Sequence, residues 1–157
     1  QSLPGGVSPV TVTAVACSEN ETATASTDSI VRVYLHGELR PTLDKFVPDV
    51  KAVALSAKYL ASGSADGRVS LNAFALMGVW RHLYQKSRND AQEAVLSVAF
   101  SDERLAAGSA NGKVYVYKVT DVRDLKLMSV LSHSQQPIRA VAWSGKVLAA
   151  GGNDTKA

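Results

Sequence analysis

The chain has 157 residues, 46% hydrophobic and 20% charged, an ordinary globular composition whose length predicts a single domain. Its 17 basic and 14 acidic residues leave a net charge of +3, less than the dense basic face of a dedicated nucleic-acid-binding protein. No apolar run approaches the roughly 20 residues of a membrane-spanning helix, and we find no secretory signal. Cys17 is the one cysteine, so no internal disulfide is expected and a reducing compartment, cytoplasm or nucleus, is favoured. Within its apolar run, Cys17 is expected to be a small buried side chain.

Four short segments of the chain repeat one pattern. Each has apolar residues at its first, fourth and sixth places, small residues at the third and fifth, and a closing serine. The segments are Val12–Ser18, Val50–Ser56, Val95–Ser101 and Ile138–Ser144. Internal repeats of this kind indicate a fold built from successive copies of one unit.

A second block, rich in alanine, glycine and serine, follows each first block. Its copies are Ala23–Asp28, Leu60–Gly67, Leu105–Gly112 and Leu148–Asp154. A third block, with strand-like alternation, follows the first three copies at Val31–Tyr34, Val69–Asn72 and Val114–Tyr117. The Asp66-Gly67 and Asn111-Gly112 pairs supply the positive φ angles of a tight hairpin turn.

The spacing of the turn residues sets the period. Asp28, Asp66, Asn111 and Asp154 recur every 38 to 45 residues. Four short strands in a period of about 40 to 45 residues are typical of a β-propeller. We therefore predict an all-β chain, one partial propeller over residues 1–157 with about three and a half four-stranded antiparallel blades. Its repeats cover approximately 8–47, 48–86, 91–131 and 134–157.

The fourth strand of each unit has the weakest pattern. Its predicted intervals are Arg40–Val47, Val79–Lys86 and Leu125–Leu131. A helix over Ala73–Tyr84 is the alternative, since Phe74, Met77 and Trp80 recur every three residues. Gly78 and the repeat spacing favour the strand.

These blocks resemble the WD40 repeat family across nearly the whole chain, most closely at Val53–Asn72. The family's Gly-His pair is approximated only by Ser132-His133, and its closing Trp-Asp is absent. Tyr34, Asn72 and Tyr117 stand at the tryptophan place.

The resemblance implies a role for the recurring turn residues. It makes Asp28, Asp66 and Asp154 structural turn aspartates of a hydrogen-bonded network within each blade. Asn111 replaces aspartate in the third copy, where we expect a weakened network. His133 is expected to be a hydrogen-bonding partner that fixes the blade.

Three stretches are also similar to repeats of actin-interacting WD proteins. They are Val33–Leu39, Val114–Val119 and the run from Lys118 to Ser144. Members of that family help cofilin to take actin filaments apart. This narrower resemblance implies an actin-filament disassembly factor acting with cofilin.

A propeller usually has four to eight blades, because fewer cannot close the ring. An open arc of blades would expose apolar faces to solvent. We therefore expect a fragment of a longer protein, a partial structure, or half of a propeller completed by another chain.

No catalytic or metal-binding pattern is found. His36, His82 and His133 have no metal-ligand spacing with one another or with Cys17. Phosphate-binding glycine loops and nucleophile elbows are missing as well. We expect no enzyme, no cofactor and no metal.

Candidate binding residues lie in the loops that enter each first strand, because loops on a rigid scaffold usually carry binding. In the WD40 family, partners often dock on these loops. Here they include Pro48, Asp49, Lys86, Arg88, Asn89, Gln135 and Gln136. A candidate basic patch, formed by Arg81, His82, Lys86 and Arg88, suits an acidic partner or RNA, although a solvated loop is the simpler interpretation. The leading hypothesis is a non-catalytic protein-interaction scaffold; the alternatives are the actin and cofilin function and an RNA-associated propeller in a ribonucleoprotein assembly.

Overall fold

The computed structural model describes residues 9–39, 49–73, 85–121, 123–132 and 134–153. Over these ranges the chain forms fourteen β-strands and no helix. The strands make four antiparallel sheets, which we number in chain order. The predicted all-β, antiparallel character is thus confirmed.

Each sheet uses strands that follow one another in the sequence. Sheet 1 contains β1 (Val12–Cys17), β2 (Glu21–Ser26), β3 (Val31–Leu35) and β4 (Glu38–Leu39). Sheet 2 contains β5 (Val50–Leu55), β6 (Tyr59–Ser64), β7 (Val69–Ala73) and β8 (Gln85–Arg88). Sheet 3 contains β9 (Val95–Ser101), β10 (Arg104–Ser109), β11 (Lys113–Asp121) and β12 (Asp124–Ser132), and sheet 4 contains β13 (Ile138–Ser144) and β14 (Val147–Gly152).

The fourth strands differ in how far they match the predicted intervals. β12 confirms the strand over Leu125–Leu131. β8 begins at residue 85, at the end of the interval Val79–Lys86. The interval Arg40–Val47 lies outside the described residues, as does the stretch 74–84 on which the helical alternative depends; Ala73 ends β7.

Successive sheets pack face to face through their first strands. In β5, Val50 and Val53 join one buried cluster with Ala25 and Val33 of sheet 1. In β9, Val95 and Val98 pack likewise with sheet 2, and in β13 Ile138 and Val141 pack with sheet 3. The apolar core is therefore a series of three junctions, each between two consecutive sheets.

Small residues in the second strands allow this close approach. A Cβ atom on Gly108 would lie 2.7 Å from Cγ2 of Ile138, and one on Gly63 would collide with Val95. The first strand of the next sheet therefore occupies the space where a side chain would otherwise stand.

The prediction that Cys17 is buried is wrong, since its side chain is exposed. Cys17 lies on β1 with Val12 and Val15, which are 58% and 62% exposed. No described sheet covers this outward face of sheet 1. The apolar pattern thus predicts which face of the strand is apolar, while burial depends on a neighbouring sheet.

Candidate functional site

The turns between second and third strands share one hydrogen-bonded geometry. In each, the side-chain Oδ1 of Asp28, Asp66 or Asn111 accepts a bond from the backbone N–H two residues later, at 3.1 Å. Such Asx turns suit aspartate and asparagine because their short side chains can reach the following backbone. The corresponding Asp154 lies outside the described residues.

A buried serine stands two residues before each of these turn residues. The hydroxyl of Ser64 donates a hydrogen bond to the carboxylate of Asp66. The hydroxyl oxygen of Ser109 accepts a hydrogen bond from the backbone N–H of Asn111 at 3.4 Å. In sheet 1 the guanidinium of Arg32 bonds both Ser26, at 3.3 Å, and Asp28, at 2.7 Å. The turns are therefore fixed to the strands on both sides.

The asparagine of the third turn makes bonds that an aspartate could not make. Its Nδ2 donates to the carbonyl oxygen of Ala91 at 3.0 Å and to the hydroxyl of Tyr115 at 2.9 Å. A carboxylate has no proton to donate in either place. Asn111 thus links the turn to the loop before β9 and to β11.

The turns of one sheet contact the loop that enters the next sheet. The N–H of Asp49 donates to the hydroxyl of Ser29 at 3.0 Å. A side chain on Gly67 would meet Asn89, and one on Gly112 would meet the backbone of Ser134. Both glycines have positive φ angles, 85° and 79°, that other residues adopt at a cost.

These contacts bring the turns and the entry loops together at one end of the sheets, which we call the loop face. It consists of Ser29, Asp49, Gly67, Asn89, Gln92, Gly112, Gln135 and Gln136. Four of the predicted loop residues, Asp49, Asn89, Gln135 and Gln136, are exposed there. Pro48 lies outside the described residues, and of Lys86 only the backbone, in β8, is described.

Four basic side chains at this end are each paired with an aspartate. The described ion pairs here, with nitrogen–oxygen distances of 2.7, 2.8, 3.2 and 2.7 Å, are Arg32–Asp28, Lys51–Asp49, Arg68–Asp66 and Arg88–Asp90. The guanidinium of Arg32 holds the pKa of the Asp28 carboxyl below its usual range. The loop face therefore presents paired charges and amides.

The predicted basic patch is neutralised in its described part. Arg88 makes a two-pronged contact with Asp90, with Nε–Oδ2 and Nη2–Oδ1 distances of 2.7 and 2.9 Å. Hydrogen bonding to Arg88 lowers the pKa of Asp90, which keeps the pair ionised. Arg81 and His82 lie outside the described residues.

Asn72 and Tyr117, which stand where the WD40 pattern has tryptophan, carry buried polar groups. The hydroxyl of Tyr117 and Nδ2 of Asn72 are both buried without a hydrogen bond of normal geometry among the described residues. Burial, with the Asp90 carboxylate nearby, raises the pKa of Tyr117. This tyrosine stays protonated and serves as a packing residue of the junction between sheets 2 and 3.

The opposite end of the sheets carries shallow grooves that the sequence did not reveal. They lie between neighbouring hairpins, with volumes of about 520, 370 and 360 Å³. The first is lined in part by Cys17, Glu21 and Leu55, and the second in part by Lys58 and Glu103. Within the described ranges no three His, Cys, Asp or Glu side chains come together to hold a metal ion. His133, predicted to be a hydrogen-bonding partner, is outside those ranges.

The described residues contain no helix with the length and hydropathy needed to span a bilayer. The sequence matches no family model and no curated protein.

Two computationally designed proteins share the fold. Ika4 matches with a TM-score of 0.77 and 24% identity, over 98% of this chain and 91% of Ika4. Ika8 matches with a TM-score of 0.76 and 24% identity, over 98% of this chain and 46% of Ika8. Since 98% of this chain corresponds to 91% of Ika4 but to 46% of Ika8, Ika8 is about twice as long as Ika4. The four-sheet arrangement thus fits both a protein of similar length and about half of a longer one.

Proposed function

We propose that this chain is a WD40-type β-propeller segment that acts as a non-catalytic protein-interaction scaffold and binds a partner protein through the loop face. The observation that carries the proposal is the fixed contact between each turn and the next entry loop. Asp49 bonds Ser29, and the entry loops at Asn89 and Ser134 meet Gly67 and Gly112. Loops held in this way present a preorganised surface, which lowers the entropy cost of binding.

The propeller assignment is supported by the way in which the sheets follow one another. Each has its strands in sequence order, and sheets 2, 3 and 4 each pack their first strand on the preceding sheet. The bond between Ser64 and Asp66 agrees with the hydrogen-bonded network of turn aspartates that the WD40 resemblance implies.

A protein partner suits the loop face better than RNA. Phosphate binding needs basic side chains that are free to replace counterions. Here Lys51, Arg68 and Arg88 each contact an aspartate. Exposed amides such as Gln135 and Gln136 suit hydrogen bonding to a polypeptide.

A scaffold also agrees with the chemistry of the described titratable groups. The lowered pKa values of Asp28 and Asp90 arise chiefly from hydrogen bonding to Arg32 and Arg88. Ion pairs of this type also perturb pKa values where they only stabilise structure.

The test is affinity capture from cytosol at low and moderate salt, with captured proteins identified by mass spectrometry. The loop variant combines Asn89→Ala, Gln135→Ala and Gln136→Ala; the matched control combines Glu19→Ala, Lys58→Ala and Lys146→Ala at the hairpin end. We expect a partner set that the loop variant loses and the control retains.

Equal capture by both variants, or loss in the control alone, would contradict the loop face as the binding site. Capture of actin with cofilin would identify the cytoskeletal form of the scaffold. Recovery dominated by RNA and lost at moderate salt would replace the proposal with the RNA-associated alternative.

A further inference from the structure

Three junctions in this chain repeat one packing arrangement. The first, fourth and sixth residues of a first strand, which we call the first-strand set, pack against the preceding sheet. The sets that do so are Val50, Val53 and Leu55; Val95, Val98 and Phe100; and Ile138, Val141 and Trp143. The receiving sheets offer a small residue of their second strand: Gly63 receives Val95, and Gly108 receives Ile138 and Val141.

Sheet 1 has the same first-strand set with nothing packed against it in the described structure. Val12, Val15 and Cys17 occupy the equivalent positions, and all three are exposed. Across the other junctions, the valine equivalent to Val15 is at most 8% exposed.

Sheet 4 has the matching unoccupied receiving site. Gly151 is equivalent to Gly63 and Gly108, yet nothing lies within 4 Å of the place where its Cβ would stand. Ala149 and Val147, on the same strand, are exposed. Both β1 and β14 consist entirely of uncharged residues, so the contact would desolvate no charge from either strand.

We propose that these two faces bind each other between two copies of this chain, sheet 1 of each copy packing on sheet 4 of the other. The two surfaces lie on one chain and complement each other, so a head-to-tail contact follows, and two identical contacts close a ring. The match to about half of Ika8 supports two copies, because an arrangement of this shape fits within a chain about twice as long. The inference rests on junction packing and does not depend on the loop face binding a partner.

The test measures the mass of the 157-residue chain by sedimentation equilibrium over a range of concentrations. We expect two copies for the unaltered chain. Val15→Asp places a carboxylate in the contact, and Gly151→Leu fills the receiving site; each is expected to raise the dissociation constant about 100-fold or more. Met128→Asp on β12 is the matched control, since Met128 is similarly exposed and lies on sheet 3. It should leave the mass unchanged.

Circular dichroism establishes that each variant keeps its β-structure, which is expected because the changed side chains are exposed or open to solvent. A dimer that survives Gly151→Leu but not Val15→Asp would be held by sheet 1 of one copy against sheet 1 of the other. That result would overturn the head-to-tail arrangement. Assemblies of three or more copies would overturn the closed pair.

Cys17 provides a second readout without any mutation. It belongs to the first-strand set, so the proposed contact covers it, and its reaction with a maleimide probe should slow at least about tenfold as protein concentration rises through the dissociation constant. The Val15→Asp chain should react rapidly at every concentration. A monomer at all concentrations, or a labelling rate independent of concentration, overturns the proposal. The loop variant tests the partner separately, because its three positions belong neither to β1 nor to β14.

Discussion

The junction between sheets 2 and 3 and the outward face of sheet 1 consist of equivalent residues in opposite surroundings. Val98 is 8% exposed and Val15 is 62% exposed, although each is the fourth residue of the same repeated segment. Val98 packs against the second strand of sheet 2, which carries a small residue, whereas no described strand packs against Val15. Identical side chains therefore contribute very different amounts to stability, and substitutions at equivalent positions can measure that difference.

The largest contrast is expected between Leu105→Ala and Leu148→Ala. Leu105 is fully buried between sheets 2 and 3, whereas Leu148 is its half-buried equivalent in sheet 4. Leu105→Ala should lower the free energy of unfolding by about 3 kcal/mol and Leu148→Ala by about 1 kcal/mol. Urea denaturation of both variants measures the difference. Equal losses would mean that sheet 4 is packed as tightly as the interior.

Alanine substitutions at two equivalent glycines should change the free energy of unfolding in opposite directions. Gly108→Ala puts a methyl group 2.7 Å from Cγ2 of Ile138 and 3.1 Å from Cγ1 of Val141, which should cost about 2 kcal/mol. Gly151→Ala meets open space and should stabilise the chain by about 0.5 kcal/mol through a less flexible unfolded state. Thermal unfolding of dilute samples compares them. Destabilisation by Gly151→Ala would contradict the open site.

The turns offer a smaller contrast. Asn111→Asp removes the donors to the Ala91 carbonyl and the Tyr115 hydroxyl and should cost about 1.5 kcal/mol. Asp66→Asn in sheet 2 keeps an oxygen that can accept from the Ser64 hydroxyl and the Arg68 N–H, and it loses an exposed ion pair worth less than about 0.5 kcal/mol. Chemical denaturation at pH 7 ranks the two. A greater loss from Asp66→Asn would show that the carboxylate is the stronger turn residue.

The smallest expected effect depends on pH. Because Arg88 lowers the pKa of Asp90 in the folded chain, this pair stabilises the fold above the ordinary aspartate pKa. That contribution is lost as the pH falls through the lowered value. Asp90→Asn should therefore be slightly less stable at pH 7, by less than about 1 kcal/mol, and should lose less stability than the unaltered chain between pH 5 and acid. Stability curves at several pH values, with Glu19→Gln as the charge-matched control, test this. An unchanged acid response in Asp90→Asn would exclude the pair as its source.

Strands and hairpin turns could be predicted from the sequence because they depend on local signals. The alternation at Val114–Tyr117 and the Asn111-Gly112 pair are read from neighbouring residues alone, and the structure has β11 and its turn there. The Leu125–Leu131 interval is likewise a strand within β12.

Features that depend on which side chains meet in the folded chain could not be predicted in this way. Cys17 has the apolar surroundings of a buried residue, but its burial requires a neighbouring sheet that the repeat pattern does not specify. The side-chain amide of Asn111 bonds the carbonyl oxygen of Ala91, twenty residues away in the sequence, and the local pattern does not specify this contact. Arg88 has Asp90 two residues away in the sequence, but the sequence pattern alone does not show that the two side chains meet.

The sequential order of strands in every sheet has a consequence for folding. Since hydrogen bonds join only strands that are consecutive in the chain, each sheet can form by closing short loops, which costs little chain entropy. Assembly then needs only the meeting of preformed neighbours. For the same reason, duplicating one unit of about 40 residues would preserve all existing strand pairing and add a single junction, so gene duplication offers a direct route by which such a chain could lengthen.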